Sequence, residues 1–259
     1  MMRNVLTIVG KELRAYFVSP IAYVVLTGFL LLGGWFFFNL LSRFNLLLTL
    51  YTQFQQGGEA ANRLNLNDYV LAPLMHNLAI VLVILVPMIT MRSFAEEKKS
   101  GTYELLLTSP LRTGELVLGK FFASFLFICI MIGLTGVYPI ILLVFGNPEI
   151  GVMAAGYFGL LLLATVFVSV GLLTSSFTEN QIIAAVSGLV ATLLLYIIGW
   201  PADGAGEVLG PLLRYLSVTE HFANMVKGLI DTRGLIYFGS LIVLALFLTQ
   251  RSVESLRWR

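Results

Sequence analysis

Charge is the scarcest commodity in this chain. Of its 259 residues only 12% are charged, 16 as Lys or Arg and 14 as Asp or Glu, where a soluble domain carries about 25%. With 58% of the residues hydrophobic and a mean hydropathy of +0.90, no ordinary soluble core could absorb the apolar sequence. A net charge of +2 and the lack of any basic patch interleaved with aromatics exclude a nucleic-acid groove.

Cysteine is almost absent too. Cys129 stands alone in an apolar run, which excludes an intrachain disulfide, argues against a cysteine-based metal site and suits a packing thiol. The two histidines, His76 and His221, lie far apart with no cysteine or carboxylate set around them, and neither HExxH nor GxSxG occurs, so metalloprotease and hydrolase chemistry have no support. Gly114 to Lys120 fits a phosphate loop up to its lysine, but Phe121 follows where a magnesium-holding Ser or Thr belongs and no strand precedes it. The chain itself is expected to bind no nucleotide, metal or cofactor.

What remains is apolar sequence in membrane-length runs. A spanning helix needs about 20 mostly apolar residues. Six such runs are read at 21–41, 69–91, 116–145, 152–177, 181–198 and 234–249, and the fold class is an all-α polytopic membrane protein, with residues 1–259 as one transmembrane domain. Residues 3–18 form an amphipathic helix, Leu6, Val9, Leu13, Tyr16 and Phe17 opposing Arg3, Thr7, Lys11 and Arg14, suited to the membrane interface. The run 21–41 is too long for a secretory h-region and no small-residue cleavage site follows. Residues 42–68 read as a polar loop, and Pro139 as a kink in the third span.

No Asp, Glu, Lys or Arg lies in the middle of a span. Ion-coupled carriers keep an ionisable group at mid-depth to bind the driving ion, so gradient coupling and acid-ringed pores are both disfavoured. His76 with Asn77 is the one polar cluster inside a span, read as a helix-contact hydrogen bond ahead of a substrate contact. Placing the N-terminus in the cytoplasm puts eleven Lys and Arg inside and five outside, the orientation the positive-inside rule favours. In the loop 200–233, Ser217 and Glu220 fit a capping box ahead of Phe222, Met225, Val226 and Leu229. That short helix reads either as a lid or as simple packing on the bundle.

The charge that exists is concentrated. Residues 92–120, RSFAEEKKSGTYELLLTSPLRTGELVLGK, hold nine charged residues between two membrane-length runs. Gly101 allows a sharp turn, Thr102 can cap a short helix, Glu104 sits in its first turn, Leu105, Leu106 and Leu107 give it an apolar face and Pro110 stops it. Thr113 reads as the cap of the third span with Glu115 in its first turn.

The run from Phe94 through Gly101-Thr102 to Pro110, then Glu115 and Gly119-Lys120, resembles the first cytoplasmic loop of type-2 ATP-binding-cassette (ABC) permeases. Six spans, the N-terminal helix, the Thr178-Glu179-Asn180-Gln181 link and the late loop with Tyr215, His221-Phe222 and Gly228 match as well. The chain looks closest to the gliding-motility and nitrous-oxide-reductase-maturation branch. The resemblance implies a cytoplasmic coupling helix within 92–115 that seats in a cleft of a separate ATPase subunit, where ATP and Mg are bound. It makes Glu97, Gly101, Thr102, Glu104, Leu105, Leu106, Leu107 and Pro110 the coupling residues. It further implies a second permease protomer, identical or homologous, in contact with membrane lipid of the bacterial cytoplasmic membrane. The expected activity is ATP-driven transport, most simply export. The alternatives are an ABC-powered relay acting on a periplasmic partner, and a passive channel or scaffold.

Overall fold

The structure is a computed structural model that describes residues 2–54, 65–102 and 112–256. Among these residues every regular element is a helix. In chain order α1 is Met2–Val18, α2 Pro20–Phe54, α3 Ala72–Thr90, α4 Arg92–Lys99, α5 Thr113–Leu134 and α6 Val137–Phe145. The remainder are α7 Ile150–Phe177, α8 Gln181–Ile197, α9 Gly206–Leu216, α10 Val218–Val226 and α11 Thr232–Leu256. Five helical runs are long and apolar enough to cross a membrane: Pro20–Tyr51, Asn67–Lys99, Thr113–Phe145, Ile150–Phe177 and Thr232–Ser255. The remaining expected span, 181–198, corresponds to α8, which has only 17 residues.

The bundle is built around α7, which packs against α3, α5, α8, α10 and α11. Leu160, Leu163, Ala164, Val166, Phe167, Val168 and Leu172 of α7 are completely buried. In lipid the hydrophobic effect does not pull helices together, so close packing and interhelical hydrogen bonds must do so. The small residues of α7 serve that need, with Gly171 seated against Thr90 of α3. Pro87 inside α3 cannot donate to the Val83 carbonyl one turn back; Thr192 Oγ1 of α8 lies 3.2 Å from that oxygen and shares its proton between it and the Gly188 carbonyl at 2.9 Å. His76 packs its ring against Phe222 at 5.3 Å between centroids.

The ends of the bundle can be matched by contacts. At one end the Ser252 hydroxyl of α11 bonds the Ser176 carbonyl of α7, Thr113 of α5 bonds Glu254 of α11, and Ser175 bonds the start of α4. Asn4 of α1 bonds Glu115 at the same end. The start of α1, the end of α11 and the charged segment after Met91 therefore share one end. α8 leaves it, and at the other end Thr219 of α10 bonds the Tyr196 carbonyl while Gly228 meets Val152 at the start of α7.

Several boundaries differ from the sequence expectation. The first span's helix continues to Phe54, through part of the segment read as a polar loop; at ~1.5 Å per residue a helix of 35 residues is about 52 Å long and outreaches the ~30 Å hydrocarbon core. The third span breaks at Thr135-Gly136 between α5 and α6, one turn before Pro139. A proline clashes with the carbonyl four residues back and cannot donate to it. The Thr135 carbonyl accepts instead from the Tyr138 N–H at 3.0 Å and from Tyr157 Oη at 2.9 Å. Ser217 caps α10 by accepting from the Glu220 N–H at 3.4 Å. The loop 200–233 holds a second helix, α9, ahead of the one expected.

Candidate functional site

The charged segment is reached by a helix that barely pauses. Met91 keeps helical angles, φ −53° and ψ −31°, between α3 and α4, so the second span's helix runs on to Lys99. Ser175 of α7 holds the junction: its Oγ accepts the Phe94 and Ala95 N–H groups at 3.1 and 3.2 Å and donates to the Met91 carbonyl at 2.9 Å. Lys98 Nζ donates to the Ser176 carbonyl. Phe94 and Ala95 are fully buried, so α4 has one face fixed to the bundle. It ends at Gly101, whose φ of +70° lies in the left-handed region that glycine adopts without strain. Thr102 Oγ1 turns back to Ser100 Oγ at 2.8 Å.

Beside α4, three helices meet on one buried cation. Lys120 of α5 is 1% exposed at its side chain, with Nζ 2.8 Å from Glu97 Oε1 of α4 and 3.0 Å from Glu12 Oε1 of α1. Its ammonium also lies 5.3 Å from the centre of the Phe94 ring. Lys11 stands at 3.7 Å from Glu97 and 3.9 Å from Glu12. Two carboxylates and two ammonium groups make the cluster neutral, which is what its burial requires.

α1 is aligned to bring Glu12 there. It runs in the same direction as α5 and matches it turn for turn: Asn4 donates to Glu115 Oε2 at 3.2 Å, Ile8 covers Gly119, and Tyr16 Oη is 3.0 Å from Ser124 Oγ. A Cβ on Gly119 would stand 2.6 Å from Ile8 Cγ2, so only glycine permits this approach. Burial pushes the Tyr16 hydroxyl pKa above its ordinary value, partly opposed by its bond to Ser124; it is protonated at neutral pH. The face of α1 that packs thus includes Asn4, Ile8 and Glu12, whereas Leu6, placed in the apolar stripe by its spacing, is 66% exposed.

Among the expected coupling residues the structure describes Glu97, Gly101 and Thr102; Glu104, Leu105, Leu106, Leu107 and Pro110 lie outside the described residues. Glu12, Lys120 and Ser175 were missed. One signal was available: a lysine two turns inside an apolar helix needs a carboxylate, and Glu12 is one of few. That same lysine ended the phosphate-loop near miss, and here it is committed to Glu12 and Glu97. Thr113 does not cap α5: it is the first helical residue and bonds Glu254 at 3.1 Å, while Glu115 Oε2 accepts the Arg112 N–H at 3.3 Å. Among the described residues no three His, Cys, Asp or Glu side chains gather as a metal site.

Five helical runs long and apolar enough to cross a bilayer, packed around α7, define a polytopic helical membrane protein. Residues 6–249 match the ABC-2 family transporter protein model, and the chain belongs to that family. It is accordingly a membrane permease subunit of an ABC transporter, a class usually paired with a separate ATPase subunit and typically dimeric. A comparison with individually curated proteins gave no match.

Proposed function

We propose that this permease exports its substrate using ATP hydrolysed by a cytoplasmic subunit, and that the force enters through residues 92–115. In this reading residues 1–259 form one transmembrane domain of six crossings, α8 supplying the fifth. Both termini and the 92–115 segment face the cytoplasm of a bacterial inner membrane. Two protomers, identical or homologous, form the path. Glu104, Leu105, Leu106, Leu107 and Pro110 form the helix that seats in the ATPase, and Gly101 and Thr102 link it to α4, where Glu97 ties it to the bundle.

The observation that carries this reading is mechanical. α4 continues the second span's helix and is bonded to α7 through Ser175 and to α1 and α5 through Glu97 and Lys120. A push on the segment after Gly101 therefore moves a connected group of helices instead of bending a loose loop.

Replacing Glu104 and Leu106 together by Arg tests it. Buried Leu contacts are worth about 1.5–3 kcal/mol, so stimulation of the partner ATPase by the permease is expected to fall about tenfold or more while membrane insertion is unchanged. Unaltered stimulation contradicts the proposed route of force.

A further inference from the structure

Against the Glu12–Glu97–Lys120 cluster lies a cavity of about 610 Å³, within the ~300–1,000 Å³ range of small-molecule sites. Its two walls differ in kind. One is apolar and comes from the ends of two spans: Ile21, Ala22 and Val25 of α2, and Met88 and Ile89 of α3. The other is ionic and comes from α1 and α4, with Lys11, Arg92, Glu96 and Glu97. Such a cavity suits a molecule that is greasy at one end and carries both signs of charge at the other.

The ionic wall has capacity to spare. Among the described residues Arg92 and Glu96 have no ion-pair partner within 4.0 Å. Glu97 gives Oε1 to Lys120 and Lys11, but its Oε2 is buried without a hydrogen-bond partner. A buried carboxylate oxygen left unpaired is costly, and an N–H donor there forms a charge-assisted bond. A guanidinium such as that of Arg92 is the natural partner of a phosphate, which it can grip with two N–H groups. Ammonium and phosphate on one headgroup, joined to acyl chains, describe an aminophospholipid.

We propose that this cavity binds a phospholipid with a primary-amine headgroup, of the phosphatidylethanolamine type. The ammonium donates to the carboxylates of Glu96 and Glu97, the phosphate pairs with Arg92, and the acyl chains lie along Val25, Met88 and Ile89. Assignment to the cytoplasmic leaflet rests on the orientation proposed above; the binding itself does not. A phosphatidylcholine fits the same apolar wall but brings no N–H group to Glu97, so the site discriminates by donor rather than by charge.

The test uses the full chain in nanodiscs of phosphatidylethanolamine and phosphatidylcholine in equal amounts, released into detergent and read by native mass spectrometry. Retention of the ethanolamine lipid is expected to exceed that of the choline lipid about tenfold, the worth of one charge-assisted hydrogen bond. In an N-methylated series the loss should come at the third methyl, when the last N–H disappears. Val25→Trp and Met88→Trp, which fill the apolar side, should each abolish the preference; Met88 is 48% exposed, so its variant is the one least able to disturb folding. Equal retention of the two lipids, or a preference unchanged in Met88→Trp, overturns the proposal. No ATPase enters this measurement, so its failure leaves the route of force untouched.

Discussion

Lys120→Met is expected to destabilise the permease by about 3 kcal/mol, the low end of the cost of removing one partner from a buried ion pair. Methionine fills nearly the volume of the lysine stem, so the loss is one of charge. Glu12 and Glu97 are only 16% and 14% exposed at their side chains, and without Lys120 they face each other across a site that Lys11 reaches only at 3.7 and 3.9 Å. Thermal unfolding of the purified protein reads the effect. The triple variant Lys120→Met, Glu12→Gln, Glu97→Gln carries no unpaired carboxylate and should recover most of the stability, since a buried pair replaced as a whole costs little. It should not recover stimulation of the ATPase, because the link among α1, α4 and α5 is gone. Recovery of both would reduce the cluster to a structural ornament.

Gly119→Leu should be the most damaging change to packing. Even a methyl at this position meets Ile8 Cγ2 at 2.6 Å and Ile8 Cβ at 2.8 Å, and the rest of a leucine has nowhere to go but between α1 and α5. Overpacking costs typically about 1–3 kcal/mol, and here the simplest relief is for α1 to leave α5. That separation also pulls Glu12 from Lys120, so protease sensitivity of α1 and loss of thermal stability should appear together. Ile8→Ala removes Cγ2 and the terminal methyl but not Cβ, and should rescue Gly119→Leu in part, a coupling that independent sites do not display. Normal stability in Gly119→Leu alone contradicts the close parallel packing of α1 on α5.

The helices were legible because long apolar runs bounded by charge leave little else to form in a bilayer. Polarity alone does not mark the end of a helix here. Residues after Ser42 look like a loop by composition, yet Phe44, Leu46, Leu47, Leu48 and Leu50 sustain the helical run to Phe54, because a helix leaving the membrane need not stop there. Pro139 is expected to kink the third span, and the break falls one turn before it at Thr135-Gly136, where the proline ring meets the carbonyl four residues back. The charged segment stood out in sequence because its residues are contiguous. The buried cluster did not, since Glu12, Glu97 and Lys120 come from three helices and no periodicity within one helix tells which faces will meet. Leu6 makes the same point from the other side: its spacing put it in the apolar stripe, and the packing of Asn4, Ile8 and Glu12 on α5 turned it outward.

One measurement bears most directly on the claim that force enters through the segment between the second and third spans. A chain carrying Cys129→Ser and Leu106→Cys has a single thiol, placed in the expected coupling helix. Bifunctional cross-linking of the intact assembly should join this thiol to the ATPase subunit, with a yield that changes when ATP is added, and an impermeant maleimide outside intact cells should not label it. Labelling from outside, or no cross-link in an assembly that hydrolyses ATP, would contradict the account.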